Sequence, residues 1–210
     1  MAGARHAKSP PTMDPATETV TLVPQQDTTL SQLLDVCTTV LQQGVDLLDA
    51  HITSNDQLTV HSQFLPGSTI GKHLRHSRDH FELLLDCMKS GSPPYVLSYD
   101  TRLRNTPMEV DRHAAREALQ GTIEKLQTVV PGIDEAAQIK LQAVTPYLHE
   151  FGTTFGRELW FAALHTVHHF SMIRVIASEL NIQLAEDFGW APSTLVYHSQ
   201  TSAPLGKAKI

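Results

Sequence analysis

Apolar residues recur at intervals of three and four along four long stretches of the chain, and the period is lost between them. Leu33, Leu34, Val36, Val40, Leu41, Val45, Leu47 and Leu48 predict a first helix from about Leu30 to Ile52, capped by Thr28 or Ser31. A polar stretch follows, ending in the turn Pro66-Gly67 and a capping Ser68. A second helix then starts near Thr69, carries Ile70, Leu74, Phe81, Leu84, Leu85 and Met88, and stops at Gly91 with Pro93-Pro94 behind it. Tyr99 to Arg104 reads as an irregular or extended connector. Pro107 is pre-set for the first turn of a third helix that reaches about Val129 and closes at Pro131-Gly132. Ile139 to Phe151 mixes strand-forming residues with Pro146 and fits either a hairpin or a loop. The fourth helix runs from a Thr154 cap to Leu180 and ends at Asn181.

These elements predict an all-α protein, an up-down four-helix bundle. Residues 1–27, rich in Pro, Thr, Ala and Ser, read as a disordered tail, and Asp14 and Glu18 argue against a transit peptide. Residues 28–182 form the helical domain, and 183–210 an irregular C-terminal extension. At 210 residues and 41% hydrophobic the chain suits one core rather than two. A net charge of −6 supplies no basic field for phosphates, so nucleic acid is not the expected partner. No run is long and apolar enough for a membrane span. Cys37 and Cys87 lack metal-knuckle or disulfide spacing and read as packed thiols, which suits a reducing, cytoplasmic setting.

The chemistry lies in the histidines. His73, His76 and His80 stand at i, i+3 and i+7 on the second helix and share one stripe. His165 and His169 are four apart on the fourth helix, on a stripe with Glu158, Ala162, Met172 and Ile176, and His168 sits beside them. Because Met172 and Ile176 are apolar, that stripe is expected to face inward. Two inward histidine stripes that meet would make a metal site, while a proton relay or a pH switch is the alternative use of the same residues.

Thr69-Ile70-Gly71-Lys72-His73-Leu74-Arg75-His76 and Leu164-His165-Thr166-Val167-His168-His169 resemble the two signature segments of the DinB/YfiT-like metalloprotein superfamily. The resemblance runs from about Leu30 to Leu180. It implies a four-helix bundle in which the second helix gives one metal ligand and the last core helix gives two, here His76, His165 and His169. Phe170-Ser171-Met172 stands where a commoner form of the family has Arg-Gly-Gln, which marks a divergent branch. Tyr99-Asp100-x-Arg102-x-Arg104 and the segment Leu184 to Leu195 are similar to stretches of that branch.

The implied cofactor is a divalent transition metal, zinc, nickel or iron, among which three imidazoles discriminate little. The implied activity is thiol transfer, isomerisation or hydrolysis on a small molecule, with a small thiol as one candidate substrate. A non-catalytic, stress-associated metal-binding bundle is the alternative, and a homodimer is compatible with either. His80 is expected to be a fourth ligand, a general base or a neighbour of the ligands, and with Glu158 it is a catalytic candidate. Asp79 and Glu158 are candidates to orient the imidazoles. Arg102 and Arg104 are candidates for binding an anionic substrate, with a salt bridge to Asp100 or Glu109 as their other use.

Overall fold

The computed structural model describes residues 28–101, 103–144, 146–192 and 194. The expected N-terminal tail, Arg102 and most of the C-terminal extension beyond 192 lie outside the described residues. The described residues include the α-helices α1 (Thr28–Ala50), α2 (Asp56–Thr59), α3 (Ile70–Cys87), α4 (Arg112–Val129) and α5 (Phe155–Glu179). Three short strands, β1 (Tyr95–Leu97), β2 (Gln138–Ala143) and β3 (His149–Thr154), form one sheet in the order β1-β2-β3.

The four long helices follow the apolar period. Val40, Leu41, Val45, Leu47 and Leu48 of α1, Leu74, Phe81, Leu84 and Leu85 of α3, Leu119, Ile123 and Leu126 of α4 and Leu159, Phe170, Ile173 and Ile176 of α5 are all buried in one core. Each such side chain removed from water contributes about 1.5–3 kcal/mol, which is what holds an amphipathic helix of this length in place. Helix α3 packs on α5 and on α4, and α1 packs on α4 and on α5.

Caps set the boundaries. Thr69, one residue beyond the expected Ser68, accepts a hydrogen bond from the Lys72 amide and opens α3. Thr154 caps α5 through the Arg157 amide, as its sequence predicts, and Asn181 ends that helix with a φ of +56°. Pro107 opens only a short 3-10 turn, Pro107–Glu109. The α4 helix has its own cap at Asp111, whose carboxylate accepts from the Ala114 amide. Ser31 lies inside α1, so it does not cap that helix.

The described residues are mostly helical, as expected, with a small sheet that the all-α expectation did not include. The stretch Ile139 to Phe151 resolves as a hairpin, with Ile139 opposite Thr153 and Ala143 opposite His149. Just ahead of the Tyr99 to Arg104 connector the chain forms β1, parallel to β2 with Tyr95 opposite Ile139, and α4 lies in the crossover that a parallel pair requires. Val144, Tyr147, Leu148 and Phe151 are exposed, so the hairpin lacks the clean alternation that marks a half-buried strand.

Two close approaches fix the surroundings of the histidine-bearing helices. A Cβ on Gly71 would stand 2.0 Å from the Glu109 carbonyl oxygen, so the first turn of α3 meets the Pro107–Glu109 turn only because the side chain is absent. At the other end of the chain Phe188 is buried, stacking on Phe170 with ring centroids 5.0 Å apart, and the Arg174 guanidinium donates to the carbonyls of Ala185, Glu186 and Phe188. The described part of the C-terminal extension is therefore docked on α5. Gly71→Ala is expected to force that turn away and to lower stability by about 2–3 kcal/mol, a fall of about 4–12 °C in Tm on thermal unfolding. An unchanged Tm would mean that the approach is looser than described.

Candidate metal centre

The α3 and α5 helices lie against each other, and the facing stripes carry the histidines. The Nε2 atoms of His165 and His76 stand 3.2 Å apart, and those of His169 and His165 3.0 Å. The His76 and His169 ring centroids are 4.4 Å apart. One ligand atom from each of His76, His80 and His165 lies within 4.8 Å of the other two. The helices thus bring His76, His80 and His165 within mutual reach of one ion, and the expected third ligand, His169, stands against His165.

Those separations have a direct chemical reading. Two nitrogens bound to one ion at 2.0–2.1 Å stand about 3.3 Å apart in a tetrahedron and about 2.9 Å apart in an octahedron. An imidazole nitrogen makes a single in-plane hydrogen bond, as donor or as acceptor. The His165 Nε2 therefore cannot satisfy both neighbouring Nε2 atoms by hydrogen bonding alone, whereas a bound cation suits the spacing of either pair. The donor set of neutral imidazoles fits a divalent transition metal.

Surrounding contacts orient the rings. The His80 Nδ1 lies 3.0 Å from the His76 carbonyl oxygen, which can only accept, so Nδ1 carries the proton and Nε2 the lone pair. The Nδ1 atoms of His73 and His169 are 2.8 Å apart, so one ring donates to the other. The His73 Nε2 is buried with no hydrogen-bond partner among the described residues. His168 is exposed, its ring centroid 5.0 Å from that of His169. His73, His76, His165 and His169 are only half-buried, so small molecules can approach.

Glu158 is fully buried on α5 and accepts from the Tyr99 hydroxyl, the Thr153 hydroxyl and Arg157, at 2.9, 2.8 and 2.9 Å. Its carboxylate is committed to these groups rather than to an imidazole. Asp79 pairs with buried Arg75, whose other side meets Glu109, and burial raises the Asp79 carboxyl above its ordinary value. Glu109, one of the expected partners of the connector arginines, pairs with Arg75. Arg104 is exposed, and Arg102 lies outside the described residues.

Two aromatic residues were not singled out from the sequence for this role. The Tyr99 ring stacks on His80 at 4.6 Å and 20°, and Phe161 lies against His165 at 5.5 Å and 29°. Phe161 was findable, since it precedes His165 by one helical turn. Cys37 is buried with its thiol pushed up by burial, and burial with the Glu158 and Asp86 charges raises the Cys87 thiol to about 11. A cleft between α1, α4 and the C-terminal segment, lined by Thr38, Gln42, Asp46, Gln127 and Asp187, holds none of the six clustered histidines.

Residues 33–173 match the DinB superfamily. The chain belongs to that superfamily. Over 165 residues, 77% of its length, this DinB-superfamily protein is 32% identical to a Rhizopus delemar protein named FK506-binding protein 5, of which the matched stretch makes up 37%. The chain thus spans little more than a third of that relative. No solved structure matches it. No described helix is long and apolar enough to cross a membrane.

Burial lowers the His73 imidazole to about 4 and the His169 imidazole to about 2, with neighbouring histidines adding to both shifts. In the unfolded chain both take a proton below about pH 6.5, while the fold resists it. The unfolded state therefore binds more protons in this window, and stability rises with pH across it. Metal-free protein is expected to lose unfolding free energy steadily from pH 6.5 to pH 4, where the His73 share is complete. His169→Gln should flatten the slope in urea titrations. An equally steep slope in that variant would contradict the assignment.

Proposed function

We propose that this DinB-superfamily protein holds a divalent transition metal on His76, His165 and His169 and uses it to act on a small molecule. The observation that carries the reading is that the His165 Nε2 stands 3.2 Å from that of His76 and 3.0 Å from that of His169, spacings that suit nitrogens sharing one ion. Superfamily membership supports it independently. In this reading the His169 Nδ1 donates to His73, which acts as the outer partner that metal-bound histidines ordinarily have. The four long helices are read as the up-down bundle of the family, with α3 and α5 presenting the ligands.

Three neutral imidazoles leave the ion's charge uncompensated. When bound, a divalent ion supplies Lewis acidity that lowers the pKa of a water or thiol toward neutrality. The protein's own residues hold the rings in register, exclude solvent on the Tyr99 and Phe161 side, and leave half-buried imidazoles open to an incoming molecule. Thiol transfer, isomerisation and hydrolysis all fit. The second reading, a metal-binding bundle without catalysis, draws on His80, which stands close enough to occupy a further position. The FK506-binding name belongs to a relative of which this chain matches 37%, and the histidine centre does not depend on it.

His165→Ala combined with His169→Ala is expected to lower bound metal from about one equivalent to background while far-UV circular dichroism stays near wild type, because the apolar core is untouched. Full metal content in that variant would remove the proposed ligand set. Loss of the helical signal would instead favour an ion with a purely structural role.

A further inference from the structure

Tyr99 has no assigned role, yet it joins the two histidine helices. Its hydroxyl donates to the Glu158 carboxylate on α5 at 2.9 Å, and its ring face covers His80 on α3 at 4.6 Å. Glu158 is itself immobilised, with Thr153 and Arg157 on its other oxygen. Arg157 also lies over the Phe161 ring at 5.2 Å, and Phe161 stands 5.5 Å from Tyr99. Burial and the Glu158 charge raise the Tyr99 phenol far above its ordinary value, so it stays protonated and donating.

His80 is held from three sides. Tyr99 covers one face, His165 lies 3.9 Å away at 37°, and the Nδ1 proton is directed at the His76 carbonyl. This arrangement turns the Nε2 lone pair into the histidine group. We propose that His80 is a fourth imidazole at the centre and that Tyr99 and Glu158 are the positioning residues that set its orientation. The inference rests on the metal reading above. It also narrows it: four imidazoles close a tetrahedral zinc, whereas ions that take five or six ligands keep a position open. An enzyme built on this centre is then expected to use iron or nickel rather than zinc.

The test is zinc and nickel affinity of the full chain, by chelator competition at fixed pH, for wild type and for His80→Ala, Tyr99→Phe, Glu158→Gln and the pair His80→Ala with Tyr99→Phe. Loss of an orienting partner ordinarily costs 10–100-fold in metal affinity. His80→Ala and each of the two conservative variants are expected to weaken binding about tenfold or more. Because Tyr99 acts through His80, Tyr99→Phe should cost nothing further once His80 is gone, a non-additivity that a general packing role would not produce.

His80→Gln replaces His80→Ala if alanine prevents folding. His80 variants that bind as tightly as wild type, or a Tyr99→Phe loss that is the same in both backgrounds, overturn the inference and leave the three-histidine reading standing. Wild-type protein that takes up none of zinc, nickel and iron(II) overturns both.

Discussion

An imidazole nitrogen has one in-plane direction in which to bond, and in this protein several of them point at one another. His165 is the middle of that arrangement, its Nε2 within 3.2 Å of His76 and 3.0 Å of His169. Partly buried, such rings cannot pair off completely as hydrogen-bond partners. The centre therefore depends on α3 and α5 being held at a fixed approach. Much of the surrounding structure acts on that approach.

At the start of α3, the absent side chain of Gly71 lets the Pro107–Glu109 turn close in, and Glu109 then reaches Arg75, one residue before His76. Near the entrance of α5, Thr154 caps the helix while Thr153 and Tyr99 satisfy the buried Glu158. Beyond the histidines, Phe188 stacks on Phe170, directly after His169, and Gly189 takes the left-handed conformation against the Phe170 backbone. The sheet belongs to the same scheme, since β3 runs straight into α5 and β1 leads to Tyr99. The additions to the four long helices thus cluster around the histidine-bearing segments.

The helices were legible because burial imposes a period of three to four, and Leu74, Phe81, Leu159 and Ile176 obey it. The same logic placed five of the six clustered histidines on two stripes. The sheet was less legible: β1 has three residues, and the hairpin's exposed Tyr147, Leu148 and Phe151 break the alternation. Spacing also put Glu158 on the His165 stripe, but it could not show that the carboxylate is taken by Tyr99, which sits 59 residues earlier on another element. Nor could it separate His80 from His73, since both share a stripe with His76. Their surroundings differ through other segments, Tyr99 against His80 and His169 against His73.

The most direct measurement is elemental analysis of untagged protein, purified without chelating resin or chelator and then equilibrated with zinc, nickel or iron(II). The account predicts about one equivalent of a divalent transition metal per chain, already present or taken up on equilibration. Protein that is metal-free as purified and still takes up none of the three would contradict it, leaving the histidines as a polar network between two helices.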